Sequence, residues 1–207
     1  MKREKSQKLL LYLVGAVSLL SLIILVWKIN SDSRETAPNG KGHNVALNQT
    51  YQYHVDSNGV RNSQIKLLKN HRYVIYIEKY TYLSDKKLKE KERLEEQAIY
   101  PELTFTQGNY KKTGNYISLE PQHSTIIRFY DISVFHQKKY FEKENKKLML
   151  NSGGKIISSW KGLYYQTKGI NNKMNKIKLK KSSKVIPSSE EDFLEQYTYD
   201  PSTKDDR

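Results

Sequence analysis

No cysteine occurs among the 207 residues. That excludes disulfides, thiolate metal sites and a cysteine nucleophile, and it fits an exported bacterial protein that folds without redox help. The five histidines, His43, His54, His71, His123 and His136, form no His-Glu-x-x-His pair. Gly-x-Ser-x-Gly elbows, Walker loops and dinucleotide glycine patterns are missing too. Ser-x-x-Lys spacings at Ser63/Lys66, Ser84/Lys87 and Ser158/Lys161 lack a Ser-Asp-Asn partner, as chance matches do in a chain rich in serine and lysine. No catalytic, metal-ligating or cofactor-binding residue is therefore expected, and no cofactor.

Phenylalanine and tryptophan are also scarce, at five and two residues against sixteen tyrosines. A core built from this composition rests partly on tyrosine rings, whose hydroxyls need partners or an exit to water. Negative charge is the next shortage. The formal charge is +14, and beyond residue 28 the chain still holds 31 basic against 21 acidic residues. Such a domain is drawn to polyanions: lipid headgroups, anionic envelope polymers or nucleic acid.

One long apolar run stands against this polar background. Leu9 to Trp27, LLLYLVGAVSLLSLIILVW, carries no charge over nineteen residues. As a helix it spans about 28 Å, close to the hydrocarbon thickness of a bilayer. Tyr12 and Trp27 stand near its ends, where amphipathic rings prefer to lie. The run is longer than a signal-peptide core and no small-x-small cleavage site follows, so it reads as an uncleaved signal anchor. Lys2, Arg3, Lys5 and Lys8 outweigh Lys28 and Arg34, which places the N-terminus in the cytoplasm and the rest outside the cell membrane.

The expected organisation is a cytoplasmic tail over 1–8, a transmembrane anchor over 9–27 and a linker over 28–42 with Pro38, Gly40 and Gly42. An extracytoplasmic β-rich domain follows over 43–200, then a disordered tail over 201–207. The clearest strand is Arg72 to Leu83, with Tyr73, Ile75, Ile77, Thr81 and Leu83 on one face and Val74, Tyr76, Tyr80 and Tyr82 on the other. Two apolar faces mark a central strand. Asp85 to Gln97 switches to strong helix formers and predicts a short exposed helix.

Short strands are then expected at Leu103–Thr106, Tyr110–Thr113, Tyr116–Glu120, Thr125–Tyr130, Lys147–Leu150, Lys155–Trp160, Leu163–Thr167 and Lys176–Lys181. Ser188–Glu191 reads as the start of a short final element. The fold class is thus mainly β: an antiparallel small barrel or sandwich, preceded by one transmembrane helix and interrupted by the helix near 85–97.

The segment Thr104 to Pro121, TFTQGNYKKTGNYISLEP, resembles a hairpin of small exported domains in Gram-positive bacteria, in which a G-x-Y strand turns through Gly-Asn into an I-x-L strand. Several such domains are lipocalin-like, compact up-and-down barrels that hold a small apolar ligand or none known. The resemblance covers about eighteen residues and implies architecture alone. The lipocalin G-x-W signature is missing, since Gly59-Val60-Arg61 has no tryptophan.

Two groups of residues are candidates for contact. Lys138, Lys139, Lys143, Lys146 and Lys147 form the densest basic run, suited to an anion. Tyr73, Tyr76, Tyr80, Tyr82, Tyr164 and Tyr165 suit a stacking surface or the wall of a cavity. The expected function is a non-enzymatic, membrane-tethered binding or accessory domain at the cell envelope. Its partner is an anionic envelope polymer, an apolar small molecule or a membrane protein. Two alternatives are an envelope hydrolase with an unrecognised site and, with reversed orientation, a cytoplasmic-facing binder of nucleic acid or the inner leaflet.

Overall fold

Side-chain alternation organises the sheet. In the strand that begins at Arg72, Tyr73, Ile75 and Ile77 pack into one apolar cluster and Val74 and Tyr76 into another, on the opposite face. A computed structural model describes residues 44–54, 60–149, 153–168 and 173–204. The chain divides into two compact units, residues 1–40 and 41–207, and the described residues all belong to the second. The expected anchor, with Tyr12 and Trp27, lies outside them. Among the described residues no helix is long and apolar enough to cross a membrane.

In chain order the strands are β1 (Thr50–Tyr53), β2 (Val60–Leu67), β3 (Arg72–Lys79), β4 (Glu102–Thr113), β5 (Tyr116–Arg128) and β6 (Lys139–Tyr140). Next come β7 (Glu142–Lys147), β8 (Lys155–Ser159), β9 (Gly162–Lys168), β10 (Met174–Lys178), β11 (Lys180–Ser182) and β12 (Thr198–Tyr199). Among the described residues three short helices, α1 (Asp85–Glu95), α2 (Ile132–His136) and α3 (Glu190–Leu194), lie between them.

The main sheet runs β10-β9-β8-β5-β4-β3-β2-β1-β11, every pair antiparallel. Its two ends, β10 and β11, are halves of one extended segment broken at Leu179. The sheet therefore comes nearly full circle, as an up-and-down antiparallel barrel. Of the two architectures the sequence allows, the barrel is the one formed.

The barrel interior is filled by side chains. Tyr51, Tyr53, Tyr73 and Tyr165 are buried there with Ile65, Leu119 and Leu163, and the rings of Tyr53 and Tyr165 lie 4.8 Å apart. Gly154 makes room for them, because a Cβ there would stand 2.5 Å from the Tyr165 ring. A second cluster covers the outer face of β3, β4 and β5. Val74, Tyr76, Leu103, Phe105 and Ile127 pack under Ile186 and Phe193 of the C-terminal segment, with Phe105 stacked on Phe193 at 5.3 Å.

Buried Lys66 pins that strap. Its Nζ donates to the Ile186 carbonyl at 2.5 Å and to the Ser188 hydroxyl at 2.9 Å. Burial pushes the amine below the ordinary lysine value, with Asp192 acting the other way.

Several expectations change. The strand from Arg72 ends at Lys79, because Tyr80 takes a left-handed conformation (φ 60°) that breaks the ladder. Tyr80 then joins Leu88, Ile99 and Ile132 in a small third cluster under α1. Helix α1 forms where predicted, with Ser84 accepting from Lys87 N as its N-cap. The strands expected at 103–106 and 110–113 are one strand, as are those at 116–120 and 125–130. β2 has no counterpart in the expectations, because its sequence VRNSQIKL is half polar. At the C-terminal end Pro201–Lys204 form a 3-10 turn, where Asp200 Oδ1 accepts from Ser202 N at 3.2 Å, and the rest of the expected tail, 205–207, lies outside the described residues.

Candidate functional site: a cleft where the sheet forks

β5 is too long to have one neighbour on its far side. Its first residues, Tyr116–Ser118, pair with β8, and its last, His123–Arg128, pair with β7. Between them the register shifts, with Gly108 opposite Pro121 and Gln107 opposite His123, so Gln122 is the extra residue of a bulge. Pro121 suits that position because a proline has no N–H for a ladder. The bulge also changes which residues face inward: Ile117 and Leu119 before it, Ser124 and Ile126 after it.

An open cleft of about 770 Å³ lies at this fork. Pro121, Gln122 and His123 of the bulge line it, with Asn145–Leu148 and Glu190 of α3. Glu190 is the hub. Its Oε1 accepts from the Thr125 hydroxyl at 2.7 Å, its Oε2 from His123 Nε2 at 3.0 Å, and Lys143 Nζ lies 3.7 Å away. Partial burial works to raise the carboxyl's pKa, but the bonds from Thr125 and His123 and the nearby cationic charge hold it below the ordinary range. Pro121 and Leu148 supply apolar surface, so the cleft offers a cationic rim beside a greasy wall.

The sequence-predicted lysines do not form one patch. Lys138 is exposed in a left-handed conformation after α2. Lys139, on β6, pairs with Asp200 at 3.1 Å. Strand alternation puts Lys143 and Lys147 on the face of Thr125 and His123, and Lys146 on the other, beside Glu144 at 3.0 Å. Lys146 and Lys147 line the cleft, and Lys147 has no carboxylate partner among the described residues. Glu142 and Glu144 hold Arg128 at 2.6 and 2.8 Å, with Glu102 at 3.2 Å, which ties β4, β5 and β7 together.

The tyrosines are scattered as well. Tyr73 and Tyr165 lie inside the barrel, Tyr76 under the strap and Tyr80 under α1. Tyr82 is exposed. Tyr164 points outward on β9, with Lys176 Nζ 4.8 Å from its ring centre. Ser63 is buried, Ser84 caps α1 and Ser158 lies on β8. None of these serines, nor Lys66, Lys87 or Lys161, is among the residues that line the cleft.

The pairing of His123 with Glu190 leaves no signal in the sequence, since 67 positions separate them and only the strap brings them together. Among the described residues no group of three or more His, Cys, Asp or Glu suits a metal ion. No protein-family model matches the chain, no curated protein matches its sequence, and no solved structure matches its fold.

Proposed function

We propose that the chain is a membrane-tethered binding module on the outer side of a bacterial cell membrane, non-enzymatic, whose cleft takes an acidic ligand. One observation carries the ligand's charge. Among the described residues Lys147 stands in the cleft without a carboxylate partner, while Lys139, Lys143 and Lys146 each have one. The apolar wall of Pro121 and Leu148 suits a ligand with a non-polar part beside its acid group. The barrel, filled by its own tyrosines, acts as a scaffold, so the lipocalin-like likeness is one of architecture.

The hydrolase alternative requires a nucleophile or a second carboxylate beside His123. Among the described residues that line the cleft Glu190 is the one carboxylate, and none is a serine.

The test is mass spectrometry on what co-purifies with the mildly solubilised full-length protein from its native membrane. A stoichiometric anionic molecule retained at low salt, and lost with Lys147→Glu, is the expected result. Retention of nothing overturns the proposal. A C-terminal tag protected in intact cells overturns the orientation and favours the cytoplasmic alternative.

A further inference from the structure

The charge of the barrel is divided between its ends. One end carries the β2–β3, β4–β5 and β8–β9 turns and the entry of the chain into β1. The described stretches that build it, 44–54, 62–77, 103–119 and 155–165, contain no Asp or Glu, and exposed Glu120, level with Arg72 through Asn109, is the carboxylate that borders them. From Asn145 to Ser189 the sequence has eleven lysines and no acid at all. The carboxylates Glu78, Asp85, Glu102, Asp131, Glu142 and Glu144 lie toward the opposite end, by the register of β3, β4, β5 and β7 and the position of the helices.

Lys69, Arg72, Lys111, Lys112 and Lys161 are all exposed at or near the turns of the acid-free end. None has a carboxylate partner among the described residues. Two large apolar side chains stand out beside them: Trp160 at the tip of the β8–β9 turn is 57% exposed, and Leu47, before β1, is 51% exposed. Lys161 Nζ sits 4.9 Å from the Trp160 ring centre.

A soluble barrel gains nothing by presenting indole and leucine to water among unpaired cations. A bilayer interface accepts both, since tryptophan prefers the headgroup level and lysine the anionic surface. We infer that this end of the barrel is a membrane-docking face that rests on anionic phospholipid headgroups, with Trp160 entering the interface.

Chain direction agrees with this assignment. Residue 44, the first described, leads through Leu47 into β1 at the same end. The inference takes proximity to a bilayer from the tethered reading above, but its chemistry stands on the charge division and Trp160. The fork cleft is separate from this face, since its lining residues Pro121–His123 lie part-way along β5 rather than at the turns.

Trp27 and Trp160 are the only tryptophans, so Trp27→Phe in the full chain leaves Trp160 as a single reporter. The protein is reconstituted into phosphatidylglycerol–phosphatidylcholine vesicles that contain lipids brominated near the headgroup. Trp160 fluorescence is expected to be quenched. The quenching should fall with added salt and in vesicles of phosphatidylcholine alone.

Lys69→Glu with Lys111→Glu leaves the Lys161–Trp160 contact intact and should shift the docked-to-free ratio by about tenfold or more. Trp160 unquenched in anionic vesicles that retain the chain through a high-salt wash overturns the docking face and leaves the tether standing. Quenching at low salt in a chain that high salt washes off overturns the tether and leaves the docking face standing. Quenching that is equal with and without anionic lipid overturns the charge argument.

Discussion

Tyrosine carries much of the work that phenylalanine does in other barrels, and its hydroxyl sets the cost. Tyr51 accepts from Ala46 N at 2.9 Å, and the hydroxyls of Tyr76 and Tyr197 lie 3.3 Å apart. Each ring therefore packs without leaving its oxygen stranded. Burial raises the phenols of Tyr53, Tyr73, Tyr76, Tyr165 and Tyr197 above the ordinary value of 10, and for Tyr53 and Tyr73 the neighbouring Tyr165 adds to it.

The sign follows from linkage. Above pH 10 the unfolded phenols lose their protons and the folded ones keep them, so stability present below pH 10 is lost as pH rises toward the folded values. Each group contributes a slope of up to about 1.4 kcal/mol per pH unit. The urea midpoint should drop between about pH 9 and about pH 11, and Tyr53→Phe should lessen the drop. A midpoint that holds steady across that range contradicts a tyrosine core. The surplus of tyrosine was legible in the composition. Which rings go inside was legible where a strand alternates without a break, as at Tyr73 and Val74 of β3.

Among the elements, the β4–β5 hairpin decides the layout. Its turn is readable in TFTQGNYKKTGNYISLEP, because Gly114 takes φ 57° and the strands beside it alternate. The bulge seven residues along β5 is not readable in the same way. Pro121 and the polar residues around it look like an interruption, and the strands were accordingly expected in two pieces each. The chain instead keeps pairing, and the extra residue redirects β5 from β8 to β7.

Gly108 and Gly114 separate these two kinds of constraint. A Cβ at Gly108 would meet the Glu120 carbonyl oxygen at 2.2 Å and Pro121 Cα at 2.8 Å, both backbone atoms that cannot step aside. At Gly114 nothing lies within 4 Å. Gly108→Ala should cost about 3 kcal/mol or more through forced displacement of the bulge. Gly114→Ala should cost about 1 kcal/mol through backbone conformation alone. Chemical denaturation of both variants checks the order, and equal losses would mean that the bulge is not held by this close approach.

For the barrel unit, two apolar clusters share one sheet, the tyrosine-filled interior and the outer face under the strap. Phe193 belongs to the second alone, fully buried against Phe105 and Tyr76. Phe193→Ala should cost about 3–5 kcal/mol. Hydrogen exchange should then show protection lost first over residues 186–197 and later, if at all, in β8 and β9. Uniform loss across the sheet would show that the clusters unfold as one. The same variant should weaken the His123–Glu190 pair, since α3 carries Glu190 to the cleft.

What the sequence by itself determined was whatever depends on neighbours along the chain. Alternation made β3 two-faced, helix formers and Ser84 set α1, Gly114-Asn115 made the hairpin turn, and the surplus of lysine set the sign of the surface. The tertiary structure decided what depends on distance in space. It spread the lysine run over a turn, β6 and the two faces of β7, and paired most of it with carboxylates. It brought Glu190 to His123 across 67 positions, and it gathered an acid-free end from four separate stretches. Periodicity records which way a side chain points from its own strand, but not which strand lies beside it. Only closure of the sheet supplies that.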